Sequence, residues 1–223
     1  MDVSTPPNSL SEVRFAAILA YSTLKNPSTE VSRQSQTVRD ALKSCRQEYL
    51  ERFGLRAAQA MGEVAGLGDF LGADTTLVPV PRRVPRVGND AHWPALRLCQ
   101  ELEKRGLCGG VAIVLERTVR IRKSAYLRKG QERPSPEEHI ATMAVDASAA
   151  GLLLRRVTLV DDIVTRGSQL FAAASLLASA LPGVEVRGLA AARAVSGEEV
   201  ASIYDPVIGT ITNGGSNRVW RRP

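Results

Sequence analysis

The rhythm of apolar and polar positions changes several times along the chain, and each change marks an element. From Val157 to Val160 the run is short, β-branched and aliphatic, the pattern of a strand buried on both faces of a parallel sheet. It ends on Asp161 and Asp162, and a turn spans Ile163 to Gly167. From Ser168 the spacing turns helical through Leu170, Ala174, Leu177 and Leu181, and Pro182-Gly183 closes the helix. Upstream, Thr75 to Val80 reads as a strand ending in prolines, then a basic turn and a helix from about Ala91 to Lys104. Val111 to Leu115 is expected as a strand, Glu137 to His139 as the opening of a short helix, and Val184 to Ala191 as a strand. A last strand is expected over Ile203 to Ile211, interrupted at Asp205-Pro206.

The N-terminal part reads differently. Leu10 to Leu24, with Phe15, Ile18, Leu19 and Tyr21, is expected to be helical and is broken at Asn26-Pro27-Ser28. Polar residues from Ser28 to Thr37 suggest a loop or the approach to a helix, after which Leu42, Cys45, Tyr49 and Phe53 keep helical spacing. Gly54 is expected to divide this stretch from Ala57 to Val64. Gly66-Leu67-Gly68 follows a helix rather than a strand, so it reads as a linker and not as a dinucleotide loop. The pattern as a whole predicts an α/β fold, a doubly wound and mainly parallel sheet over residues 71–223, with a helical N-terminal appendage over residues 1–70. Such sheets bind ligands beyond the carboxyl ends of their strands, where Asp161-Asp162 and Arg82-Arg83 would meet.

Composition narrows the class. A chain of 223 residues that is 44% hydrophobic and 23% charged can bury a substantial core. No apolar run approaches the ~20 residues that cross a bilayer, so no membrane partner is expected. The start, MDVSTPPNSLSEV, has neither a basic nor an apolar leader region, which predicts a cytoplasmic protein. Cys45, Cys99 and Cys108 are odd in number and lack C-x-x-C spacing, against a disulfide framework or a zinc site, and His92 and His139 are too few to add one.

The net charge of +6 lies wholly in the second part: residues 1–70 carry 8 basic and 8 acidic groups, residues 71–223 carry 21 and 15. Its densest stretch, Arg117 to Arg133, holds seven basic residues and one acid. Such a run is commonly a solvated face; as a functional feature it suits a polyanion such as pyrophosphate, a phosphorylated substrate or nucleic acid. The tail, Arg218 to Arg222, mixes Trp220 with cations as single-stranded nucleic-acid sites do, so a nucleic-acid partner stays open, as does a homodimer.

A strand, an acid pair, a Thr/Gly turn and a helix in sequence make a phosphate site with hydroxyl-binding groups beside it. The N–H groups at the helix start favour an anion by ~0.3–1 kcal/mol. Thr165 and Ser168 add hydroxyls, and the adjacent carboxylates suit sugar hydroxyls or a hard divalent cation. The acids also resemble half of a nucleoside-triphosphatase site, but no G-x-x-x-x-G-K-[ST] precedes them.

VTLVDDIVTRGSQL resembles the phosphoribosyl-pyrophosphate (PRPP) motif of type I phosphoribosyltransferases, a hydrophobic strand, two acids, two aliphatics and Thr-Thr-Gly-x-Thr. Arg166 replaces the second Thr of that pattern, and Ser168-Gln169 replaces a small residue and Thr. The V-P-V-P run before Arg82, Arg83 and Arg86 is similar to the ComF-like branch, although the R-G-F-N-Q continuation of that branch is missing and Gly88-Asn89-Asp90 only echoes it. The resemblance implies that Asp161 and Asp162 hold the ribose hydroxyls of PRPP and help place Mg²⁺. It further implies that Thr165, Arg166, Gly167, Ser168 and Gln169 wrap the 5′-phosphate, and that Arg82, Arg83 and Arg86 meet pyrophosphate. A basic flap carrying Lys123, Arg128 and Arg133 would close over the substrates.

The implied activity is transfer of the phosphoribosyl group to a nitrogenous acceptor with release of pyrophosphate. In purine-salvage relatives an acid often stands where this chain has Thr165, which counts against hypoxanthine or guanine as acceptor. The alternative is a non-catalytic PRPP or nucleotide sensor linked to DNA processing or uptake, although the four-cysteine zinc module common in ComF-like proteins is missing. His139 reads as a surface helix residue, with a catalytic acid or base as the lesser option.

Overall fold

The computed structural model describes residues 10–86, 92–122, 133–215 and 218–223. The first element is not the expected helix. Strand β1 (Glu12–Ser22) carries Phe15, Ala16, Ala17 and Ile18, all fully buried. A strand covered on both faces shows no period-2 alternation, and its alanines pull local propensity toward helix; pairing with two neighbouring strands overrides that preference.

Helix α1 (Glu30–Lys43) begins earlier than the polar composition suggested, because the Thr29 hydroxyl accepts the Ser32 N–H and caps it. Helix α2 (Gln47–Glu63) follows a break at Ser44–Arg46, where Cys45 has φ 55°. Gly54, the expected divider, lies inside α2 where that helix meets α3 (Pro94–Lys104). A Cβ there would lie against Arg105, 2.8 Å from its Cδ, and 3.0 Å from Glu101 Cγ. The glycine thus makes room for the Arg105 side chain, which holds the buried Glu101 carboxylate at 2.8 Å.

Strand β2 (Gly72–Pro79) precedes α3, and β3 (Cys108–Val111) follows it. The single strand expected over Val111 to Leu115 is split, for β4 (Leu115–Arg117) leaves the main sheet and pairs antiparallel with β5 (Met143–Val145), the short helix α4 (Pro136–Ile140) lying between them in the chain. Then come β6 (Arg156–Val164), α5 (Ser168–Ala180), β7 (Glu185–Val195), β8 (Tyr204–Asn213) and β9 (Val219–Arg222). Strand β8 spans Asp205-Pro206, and the expected interruption shows as a bulge there: the pairing with β1 steps from Ala17–Val207 to Leu19–Tyr204 and gives Asp205 and Pro206 no register partner on β1. The pairing of β9 covers only Thr210 to Asn213, so Pro206 sits where the outer side of β8 has no strand partner among the described residues.

The main sheet has the order β3-β2-β6-β7-β1-β8-β9. β3, β2, β6, β7 and β1 run parallel, and β8 is antiparallel to β1 and to β9. Leu42, Leu50, Phe53, Leu98 and Leu102 from α1, α2 and α3 pack on one face against Ile18, Leu77, Val160 and Leu189. Leu170, Ala173 and Leu177 of α5 pack on the other against Phe15, Val78, Leu159 and Ala190. The α/β architecture with helices on both faces of a mostly parallel sheet therefore stands, and the N-terminal 70 residues supply it with a central strand as well as helices. No helix among the described residues is long and apolar enough to cross a membrane.

Two adjacent strands send the chain in opposite directions. From β2 it passes through α3 on one face to β3; from β6 it passes through α5 on the other face to β7. The crevice at the carboxyl ends of β2 and β6 is the switch point of the sheet, the usual place for a ligand in this architecture.

The close approach at Gly54 is testable. Gly54→Val should displace Arg105 from Glu101 and lower stability by roughly 1–3 kcal/mol, the range for overpacking. Urea unfolding with an unchanged slope and a lower midpoint would show it, and an unchanged midpoint would contradict it.

Candidate functional site

β2 and β6 are joined at their ends by the Val80 N–H, which donates to the Val160 carbonyl at 2.9 Å. Beyond that bond, the loop after β2 is fixed through four successive carbonyls. Val80 O accepts from Trp93 Nε1 at 2.8 Å, Pro81 O from Gln169 Nε2 at 2.9 Å, Arg82 O from Arg117 Nε at 3.0 Å, and Arg83 O from the Ile121 N–H at 2.9 Å. With its carbonyls held, this loop presents Arg82 and Arg83 half-buried and Arg86 exposed. Trp93, Arg82, Arg86, Ile113, Arg117 and Asp146 line a cleft on the β4 side of the loop.

Across the crevice, Asp161 and Asp162 sit within β6 rather than at its end, and both are half-buried. The alternation of β6 changes phase here. Val157 and Leu159 face the α5 core and Val160 the opposite one, yet Ile163 packs with the second core and Val164 with the first. Asp161 Oδ1 accepts the Asp162 N–H at 3.0 Å, so the acid pair supplies its own partner where the pairing with β7 skips Asp162. Burial pushes the Asp161 carboxyl well above its ordinary range, and the charge of Asp162 adds to that; Lys43 pulls the other way.

Gly167 caps α5 with φ 91°, and a Cβ there would stand 2.6 Å from Ile211 Cδ1, so both backbone angle and space require glycine. No side chain caps the helix start, which leaves N–H groups of the first turn available to an anion. Thr165 and Ser168 are half-buried beside it and Arg166 is exposed. Gln169 donates its side-chain amide to the Pro81 carbonyl and so ties this turn to the basic loop.

Several groups that the sequence did not single out lie around this crevice. Arg117 is 3% exposed; burial brings its pKa down to about 10, against the charge of Asp161. Besides holding Arg82, it donates from Nη1 to Thr142 Oγ1 at 2.6 Å. The charge of Asp162 reaches the Tyr21 hydroxyl and the Cys45 thiol, both pushed up chiefly by burial. Arg117 was visible only as part of a basic run, and Tyr21 and Cys45 carried no signal because the fold of residues 10–70 brings them there. His139 is not a surface residue: it is 5% exposed, and burial followed by the nearby Arg117 pushes its pKa to about 4, which keeps it neutral and unsuited to proton transfer near pH 7. Of the expected flap, Arg133 is exposed, while Lys123 and Arg128 lie outside the described residues, as do Gly88, Asn89 and Asp90.

Among the described residues no group of three or more metal-binding side chains occurs. The adjacent carboxylates of Asp161 and Asp162 are nevertheless hard oxygen donors of the type Mg²⁺ takes when it keeps several waters and shares substrate oxygens. The donor set therefore fits Mg²⁺ held together with a ligand. No protein-family model and no curated protein matches the chain.

The environment of Asp161 sets a pH test. Its folded pKa is raised, so the folded state binds the proton more tightly than the unfolded chain; this contribution is complete below the unfolded value and is lost as pH rises through the folded one. Asp161→Asn, always neutral, should therefore be more stable than the parent at pH 7, with the gap closing as pH falls toward 4. Urea midpoints at the two pH values measure it, and an Asn variant no more stable at pH 7 would contradict the account.

Proposed function

We propose that the protein binds PRPP with Mg²⁺ and transfers the phosphoribosyl group to a nitrogenous acceptor, releasing pyrophosphate. One observation carries the reading: the switch point of the sheet joins an acid pair and an uncapped, glycine-started helix to a basic loop, and Gln169 bonds one to the other. That combination offers a phosphorylated sugar three kinds of contact within one crevice. The first-turn N–H groups of α5, with Thr165 and Ser168, hold the 5′-phosphate. Asp161 and Asp162 accept hydrogen bonds from the ribose hydroxyls. Arg82 and Arg83 face the pyrophosphate as it departs with growing negative charge.

Mg²⁺, when bound, would neutralise pyrophosphate charge as a Lewis acid. The protein's own part is mostly placement. Arg117 holds the Arg82 carbonyl, Trp93 the Val80 carbonyl and Gln169 the Pro81 carbonyl, so the basic loop needs little reorganisation when charge develops. Little covalent chemistry falls to side chains, which agrees with a neutral, buried His139.

Calorimetry with PRPP and Mg²⁺, followed by a screen of nitrogenous bases for pyrophosphate release, tests the proposal. Binding with release for some acceptor is the expected result; binding without release for any acceptor would favour the sensor, and no binding would remove the reading. Replacing Asp161 and Asp162 together by Asn should weaken PRPP binding by ~1.5–3 kcal/mol for each charge-assisted hydrogen bond removed. Gly167→Val should weaken it further, because its side chain would enter the space of Ile211 and force a positive φ on a β-branched residue. Parental PRPP affinity in either folded variant would show that the ligand does not sit in this crevice.

A further inference from the structure

Two arginines from strands outside the PRPP-like motif converge beside the Gly167 turn. Arg193 of β7 is the register partner of Val164, the last residue of β6 before that turn. Arg221 of β9 is the register partner of Ile211, whose Cδ1 is the atom that crowds Gly167. From β9 the Arg221 side chain crosses the Phe15 ring of β1, its Cζ 5.9 Å from the centroid, and Nη2 donates to the Ala194 carbonyl at 2.7 Å. The two guanidinium groups are near enough that the charge of Arg193, after burial, lowers the pKa of Arg221.

Charge and hydrogen bonding are both incomplete at this pair. Asp205 is the carboxylate that pairs with Arg193, and its side chain is 46% exposed. Arg193 Nε and Arg221 Nε and Nη1 are buried and have no partner among the described residues. Buried donors in folded proteins are nearly always satisfied, and an exception beside like charges calls for an anion. The α5 start adds uncapped N–H groups next to the same turn.

We propose that Arg193 and Arg221 form the cationic wall of a subsite for a phosphate monoester, facing the first turn of α5, with Asp205 occupying Arg193 until the phosphate displaces it. The ligand class follows from the donors. Two guanidinium forks and several N–H groups match the many acceptor oxygens of a dianionic phosphate better than the two of a carboxylate. The half-exposed Asp205 can swing to solvent, which opens the route by which the anion arrives. This assignment rests on the proposed function in taking the 5′-phosphate of a phosphoribosyl ligand as the occupant, and it adds β7 and β9 to a site otherwise built from β2, β6 and α5.

The test is calorimetric titration of the full chain with ribose 5-phosphate, with ribose as the uncharged control. The parent should bind ribose 5-phosphate and not ribose. Arg193→Gln and Arg221→Gln should each weaken binding about tenfold or more, the scale of removing one charge-assisted hydrogen bond. Asp205→Asn, which frees Arg193, should tighten it, a gain that misfolding cannot produce and that decides the matter if an arginine variant folds poorly. Absence of ribose 5-phosphate binding by the parent, parental affinity in both folded arginine variants, or no gain in Asp205→Asn would overturn the proposal. A parallel titration with PRPP and Mg²⁺ separates the two readings. PRPP binding untouched by the arginine changes removes this inference and keeps the transferase reading; arginine-dependent binding of ribose 5-phosphate without PRPP binding does the reverse.

Discussion

Four consecutive carbonyls, Val80 to Arg83, accept hydrogen bonds from Trp93, Gln169, Arg117 and the Ile121 amide. The placement of Arg82 and Arg83 in the crevice depends on this arrangement. A loop that leaves a central strand and passes under other elements cannot keep unsatisfied polar backbone, so its partners must come from whatever surrounds it. Here they come from the start of α3, the start of α5, β4 and the segment after β4, which ties the geometry of the basic loop to four parts of the fold at once. At about 0.5–1.5 kcal/mol net for each bond, the set contributes modestly to stability. Its larger effect is to remove freedom from a loop that carries cations.

Electrostatics at the crevice are set by burial rather than by simple pairing. Asp161 is held above its ordinary range by burial and by its neighbour Asp162, while Arg117 is drawn down by burial with Asp161 opposing. Opposite charges thus sense one another while each bears the cost of its own burial, a cost that a polar ligand entering the crevice would relieve. Functional sites commonly carry such costs, and the stability of the remaining sheet bears them. His139 shows the other outcome of burial, a titratable side chain that is kept neutral and contributes packing.

The antiparallel side of the sheet contributes more than an edge. β8 and β9 extend the parallel strands beyond β1, and the short β9 sends Arg221 back across β1 to the carboxyl end of β7. Ile211 of β8 fills the space next to Gly167, so the turn before α5 is shaped by a strand far from it in sequence. Arg193 and Arg221 are thus register partners of Val164 and Ile211, two residues that border the turn before α5, without belonging to any local motif.

The sequence alone determined the α/β class and the strand-turn-helix unit around Asp161 to Ala180, because each rests on local periodicity or on residues a few positions apart. It misassigned β1, whose burial on both faces erases the alternation that marks a strand while its alanines favour helix. It divided α2 at Gly54 because the reason for that glycine, the side chain of Arg105, comes from a distant part of the chain. It placed His139 on the surface, since the covering of α4 is set by packing, and it could not show that the Gln169 side chain reaches the Pro81 carbonyl. Only the tertiary structure could bring Arg117, Tyr21, Arg193 and Arg221 to the neighbourhood of the motif, because strand order and register, not sequence spacing, decide which distant side chains share one end of a sheet.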